Sequence, residues 1–130
     1  MRKILVIDDD PTVQNVFGQY LRTAGYEVLV AGNGREGVAL IRSEFPDLVI
    51  TDILMPEMDG LEILLQIRNE KVGIPIIAIS GGMRALPINF LHQAKLFGAR
   101  HVFEKPVPLK VLHNAVTDLI GTAEADGGTC

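Results

Sequence analysis

At 130 residues, with 48% hydrophobic and 22% charged side chains, the chain has the size and composition of one globular domain and little room for a second. Its formal net charge of −4 weighs against direct nucleic-acid contact, which needs a basic face, and its single cysteine, Cys130, excludes an internal disulfide. The apolar start Ile4-Leu5-Val6-Ile7 is cut off by Asp8-Asp9-Asp10, well short of a signal peptide or membrane span, so the expectation is a soluble, cytoplasmic chain.

Apolar runs and amphipathic stretches alternate along the sequence. Ile4-Leu5-Val6-Ile7 reads as a buried strand. Val13, Val16, Phe17, Tyr20, Leu21 and Ala24 recur at helical spacing, which predicts a helix over 11–24 with Gly25 as its stop. Glu27-Val28-Leu29-Val30-Ala31 is a second strand and Asn33-Gly34 a turn signal. Val38, Ile41 and Phe45 mark the apolar side of a second helix, which Pro46 ends. Leu48-Val49-Ile50 is a third strand, running into Thr51-Asp52. Pro56 and Asp59-Gly60 shape a loop, and Leu61, Ile63, Leu64, Leu65 and Ile67 follow in a third helix. Pro75-Ile76-Ile77-Ala78-Ile79 is a fourth strand ending in Ser80. Phe90, Ala94 and Phe97 predict a fourth helix, preceded by Gly81, Gly82 and Pro87. Arg100-His101-Val102-Phe103 is a short fifth strand, and Leu112, Ala115, Val116 and Leu119 repeat along a last helix. The stretch from Gly121 to Cys130 is small and polar and reads as a flexible tail, which leaves residues 1–120 as the domain. Five strand–helix units imply an α/β fold with a parallel sheet covered on both faces.

Ligands of open parallel sheets bind at the carboxyl ends of the strands, near the point where strand order reverses. Here those ends carry Asp8-Asp9-Asp10, Asp52, Ser80 and, after the fifth strand, Lys105. Each has a bland reading alone: an acidic turn, a helix cap, a surface lysine. Gathered together they have a chemistry. Crowded carboxylates demand a cation, and hard oxygens with open positions suit Mg²⁺, which often bridges to a phosphate. A carboxylate can itself take a phosphoryl group, whose charge calls for a metal, a lysine and hydroxyl or amide donors.

Four segments carry a resemblance: Ile4-Leu5-Val6-Ile7-Asp8-Asp9-Asp10, the run from Asp47 through Asp52 to Asp59-Gly60, Ser80-Gly81, and Lys105-Pro106. In order and spacing they resemble the receiver domains of two-component response regulators, over residues 3–120. The resemblance implies a flavodoxin-like, doubly wound five-stranded parallel sheet with five helices and strand order 2-1-3-4-5. It implies Asp52 as the phospho-acceptor, with Asp9, Asp52 and the backbone carbonyl of Leu54 as Mg²⁺ ligands and Asp8 assisting through water. Ser80 and Lys105 would contact phosphoryl oxygens. The implied donor is a phosphohistidine on a sensor histidine kinase or histidine phosphotransfer protein. The implied output is a change in the fourth helix, fifth strand and last helix, where a downstream protein target or a weak dimer would form on an otherwise monomeric domain. The chain is then a signalling acceptor, catalysing only its own phosphorylation and dephosphorylation. With no helix-turn-helix or other output segment in the sequence, it is expected to be of stand-alone or relay type, without direct nucleic-acid or membrane contact, or else a piece of a longer protein. Two positions depart from the family: Val102 replaces the usual aromatic three residues before the lysine, and Gly81 stands where alanine is frequent.

Two other readings use the same residues. Asp8-Asp9-Asp10-Pro11-Thr12-Val13 fits the D-x-D-x-T-V pattern of haloacid-dehalogenase-like phosphatases, with Asp8 as nucleophile and Asp10 as general acid/base, but the chain lacks a cap domain and a later acidic pair. A receiver-like interaction module that needs no phosphate is the other. His92, His101 and His113 have no metal-ligand spacing and are expected to be non-catalytic, and Cys130 is expected to be an incidental thiol.

Overall fold

The computed structural model describes residues 2–52, 73–80, 99–104 and 106–122. The third and fourth predicted helices, the loop around Pro56 and Asp59-Gly60, Leu54, Lys105 and residues 123–130 lie outside the described residues, as does the side chain of Ser80.

The first strand, β1 (Lys3–Ile7), is a run of β-branched and aliphatic residues buried from Ile4 onward. Asp10 caps α1 (Pro11–Thr23): its carboxylate accepts from the Thr12 N–H, and Pro11 occupies a first-turn position where its missing N–H costs nothing. At the other end, the Tyr26 N–H reaches back to the Leu21 carbonyl and the Gly25 N–H to that of Arg22. Gly25 adopts φ 104°, so this Schellman closure depends on glycine. The strand β2 (Glu27–Ala31) follows. Asn33-Gly34, read as a turn, instead opens α2 (Gly34–Glu44), with the Asn33 side chain accepting from the Glu36 N–H. Asparagine serves turns and N-caps by the same side-chain acceptor, which is why the dipeptide is ambiguous.

Phe45 departs from its expected place in the core. It is the C-cap of α2 with φ 48°, and it is 73% exposed. Pro46 disfavours the helical conformation at residue 45, and the left-handed turn takes the phenyl ring off the apolar stripe. The strand β3 (Leu48–Asp52) is buried throughout, β4 is Ile76–Ser80, β5 is His101–Glu104, and the last described helix, α3, is Leu109–Ile120.

All five strands are parallel, in the order β2-β1-β3-β4-β5. The two-residue period of a strand sends alternate side chains to opposite faces and produces two cores. Leu5, Ile7, Val49 and Ala78 pack with Val38 and Ile41 of α2. Ile4, Val6, Ile50, Ile77 and Ile79 pack with Phe17 and Leu21 of α1 and Leu112, Ala115 and Val116 of α3. The sheet is therefore doubly wound, as expected for the flavodoxin-like class. Gly121, placed in the flexible tail by sequence, is tied down: its N–H donates to Thr117 and its carbonyl accepts from the Tyr26 hydroxyl at 2.7 Å. Among the described residues, no helix is long and apolar enough to cross a membrane.

Candidate functional site

The chain leaves β1, returns on one side of it as β2, and then crosses to its other side as β3. Strand order reverses there, and the carboxyl ends of β1 and β3 open onto the crevice where α/β sheets bind ligands. Ile7 lies beside Thr51 in the register, so the residues that follow, Asp8 and Asp52, meet at this point.

Carboxylate oxygens of Asp8, Asp9 and Asp52 all lie within 4.8 Å of one another. Asp8 is 3% and Asp52 6% exposed, whereas Asp9 is open to solvent. Two carboxylates at that separation repel by roughly 3 kcal/mol at the effective dielectric of a protein site, so burying them side by side calls for positive charge. The donor set fits Mg²⁺: all ligand atoms are hard oxygens, one member faces solvent where water ligands can enter, and ligands at about 2.1 Å across an octahedron are about 4.2 Å apart.

The backbone around the cluster is firmly held. The Asp8 N–H donates to the Ala31 carbonyl at 3.1 Å, one Asp8 carboxylate oxygen accepts from the Asp10 N–H at 2.9 Å, and the Gln14 side-chain amide donates to the Asp8 carbonyl at 2.6 Å. At the other strand end, Thr51 is fully buried and its hydroxyl donates to the Asp52 carbonyl at 3.0 Å. Neither Gln14 nor Thr51 stood out in the sequence. A polar residue near the start of an amphipathic helix gives no sign of reaching back to a strand end, and Thr51 signalled itself only by adjoining Asp52.

Asp10, the third acid of the turn, is spent elsewhere. Its carboxylate caps α1, and it is not a member of the cluster. The phosphatase reading needs Asp10 as a general acid/base beside Asp8, and a capping carboxylate on an exposed helix start does not fill that role. Ser80 ends β4, paired in register with Glu104 of β5; Lys105 follows Glu104 in sequence, outside the described residues, as does Leu54. Val102 is partly buried against the core beneath α2, while Phe103 points to the opposite core, with its ring stacked on His101 at a centroid distance of 6.0 Å. The aromatic next to the departed position thus faces the wrong side of the sheet to substitute for it.

A family model described as the response regulator receiver domain matches residues 4–117. The chain is 39% identical over 116 residues to the "Probable C4-dicarboxylate response regulator DctR" of Bacillus subtilis, covering 88% of this chain and 50% of that protein. It is 34% identical over 79 residues to the alkaline phosphatase synthesis transcriptional regulatory protein PhoP of the same organism, covering 61% of this chain and 33% of that protein. Among solved structures, a response regulator receiver domain protein from Clostridium thermocellum superposes with a TM-score of 0.85 at 31% identity, over 92% of this chain and 94% of the other. The chain thus spans between a third and a half of these curated relatives and nearly all of the solved domain.

Proposed function

Because the chain belongs to the response regulator receiver domain family, we propose that Asp52 accepts a phosphoryl group in a Mg²⁺-dependent reaction. The observation that carries this reading is the buried Asp8 and Asp52 pair, joined by Asp9, at the point where strand order reverses. Asp8, Asp9, Asp52 and the Leu54 carbonyl would hold the ion, which supplies positive charge against the transferring oxygens. A carboxylate oxygen of Asp52 attacks phosphorus; the new P–O bond forms as the P–N bond of a phosphohistidine breaks, and the leaving imidazole keeps that electron pair. Ser80 and Lys105 contact the phosphoryl oxygens once transfer is complete. Asp9 leaves the site open to solvent, so water can later attack the same phosphorus and release phosphate.

The donor proposed is a sensor histidine kinase or histidine phosphotransfer protein, in the cytoplasm. The readout is a shift in the surface that includes β5 and α3, which are bridged by the contact of His101 with Asp118 at 3.5 Å. With Val102 in place of the aromatic, that shift runs through β5 and α3 packing rather than a swinging ring. The matched region is 33% of PhoP, the curated relative named above as a transcriptional regulatory protein. A transcriptional outcome would therefore reach DNA through a partner or a further domain, and the acidic receiver itself acts by protein contact.

The test is incubation with Mg²⁺ and acetyl phosphate or phosphoramidate, followed by intact mass, for the parent chain, Asp52→Asn and Asp8→Asn. A Mg²⁺-dependent phosphate adduct is expected in the parent and absent in Asp52→Asn. An Asp52→Asn chain phosphorylated at the parental rate would sink the proposal. Turnover of a generic phosphomonoester that disappears in Asp8→Asn would restore the phosphatase reading.

A further inference from the structure

We propose that Gln14 is a positioning residue for the divalent-ion site: its carboxamide fixes the peptide that carries the acidic turn, and so sets how tightly Mg²⁺ is held without touching the ion. The inference rests on the reading of Asp8, Asp9 and Asp52 as the metal centre. Gln14 lies near the start of α1, half-buried, and its Nε2 donates to the Asp8 carbonyl at 2.6 Å. A carbonyl oxygen only accepts, so the nitrogen end of the amide must face it. That carbonyl belongs to the peptide joining Asp8 to Asp9. Its orientation fixes where the Asp9 Cα sits, and Asp9, being exposed, has no core packing to place it.

The other anchors of Asp8 come from different segments. Ala31 at the end of β2 receives its N–H, and the Asp10 N–H holds one carboxylate oxygen. Gln14 adds a tie from α1, and it bears directly on the Asp8–Asp9 peptide. It is not needed to start the helix, since Asp10 already caps α1 and the Gln14 N–H makes its ordinary bond to the Asp10 carbonyl. Groups that orient ligands from behind raise metal affinity by about tenfold or more.

The experiment is a calorimetric titration with Mg²⁺ alone, no phosphoryl donor present, on the parent, Gln14→Met, Asn15→Met and Asp9→Asn, with thermal melting of each in EDTA. Methionine keeps the length and helix propensity of glutamine while removing the donor. Gln14→Met should bind Mg²⁺ about tenfold more weakly, with a melting temperature in EDTA lowered by no more than the roughly 5 °C that one lost hydrogen bond costs, and Asn15→Met, on the exposed face beside it, should match the parent in both. Parental affinity in Gln14→Met, with binding lost in Asp9→Asn, overturns the positioning role alone. Weaker binding accompanied by a fall in melting temperature well beyond about 5 °C also overturns it, since the role would then be general stability. A parent chain that binds no Mg²⁺, or Asp9→Asn binding as tightly as the parent, overturns the metal centre and the proposal together.

Discussion

At the scale of single residues, two glycines on helices of opposite faces of the sheet should respond to alanine with opposite signs. Gly37 of α2 lies directly over Ile7: an added Cβ would stand 2.9 Å from Ile7 Cγ1 and closer still to Cδ1. Ile7 is fully buried and is the last residue before the acidic turn, so it cannot retreat without dragging β1. Helix propensity favours alanine by about 1 kcal/mol, but overpacking a closed site costs about 1–3 kcal/mol. Gly37→Ala should therefore destabilise by about 1 kcal/mol, read as a lower urea midpoint at unchanged slope. At Gly18 of α1 the nearest atom is Arg22 Nη1, at 3.3 Å, at the end of a long side chain whose Nη2 donates to the Val28 carbonyl at 2.9 Å; a shift of a few tenths of an ångström accommodates the methyl, and the same substitution should raise the midpoint. Phe45, left-handed and exposed, shows the converse: a residue whose chemistry says core is placed on the surface by the proline that follows it.

Elements here are closed by side chains at their ends and stabilised by packing along their length. Neither the Asn33 cap of α2 nor the Gly25 closure of α1 contributes core contacts, yet they set where each helix begins and stops. The C-terminal helix α3 has no side-chain cap at its start; its far end is held by the Tyr26 hydroxyl on the Gly121 carbonyl. Tyr26→Phe should cost about 1 kcal/mol and speed amide exchange in the last turn of α3 while leaving β1 protected. Element identity was readable because β1, β2, β3 and the apolar stripes of α1 and α3 follow their periods closely. Element ends were less so: Asn33-Gly34 serves a turn or a cap equally well, and Phe45 matched the stripe by spacing alone. Strand order came from the family resemblance, since apolar runs of similar composition do not say which edges meet.

For the molecule as a whole, the acidic cluster is a local cost that an ion can reverse. Mg²⁺ at about a hundred times its dissociation constant should stabilise the folded chain by about 2.7 kcal/mol, seen as a melting temperature raised by several degrees, and the increment should vanish in Asp9→Asn. The acids of this site were legible because their types and strand-end positions left few other uses. Gln14 and Thr51 were not, because their roles exist only once α1 has folded back on β1 and β3 has paired with it. That pairing has a temporal side. The acidic turn comes early in the chain and Asp52 only after β2, and Asp8 meets Asp52 only once β3 pairs with β1; long-range parallel pairing is a slow step of folding. On the proposed chemistry, a chain caught before β3 docks carries an acidic turn with nothing to receive a signal. Folding thus acts as a licence: incomplete copies stay silent to the donor, and only a finished sheet can be addressed.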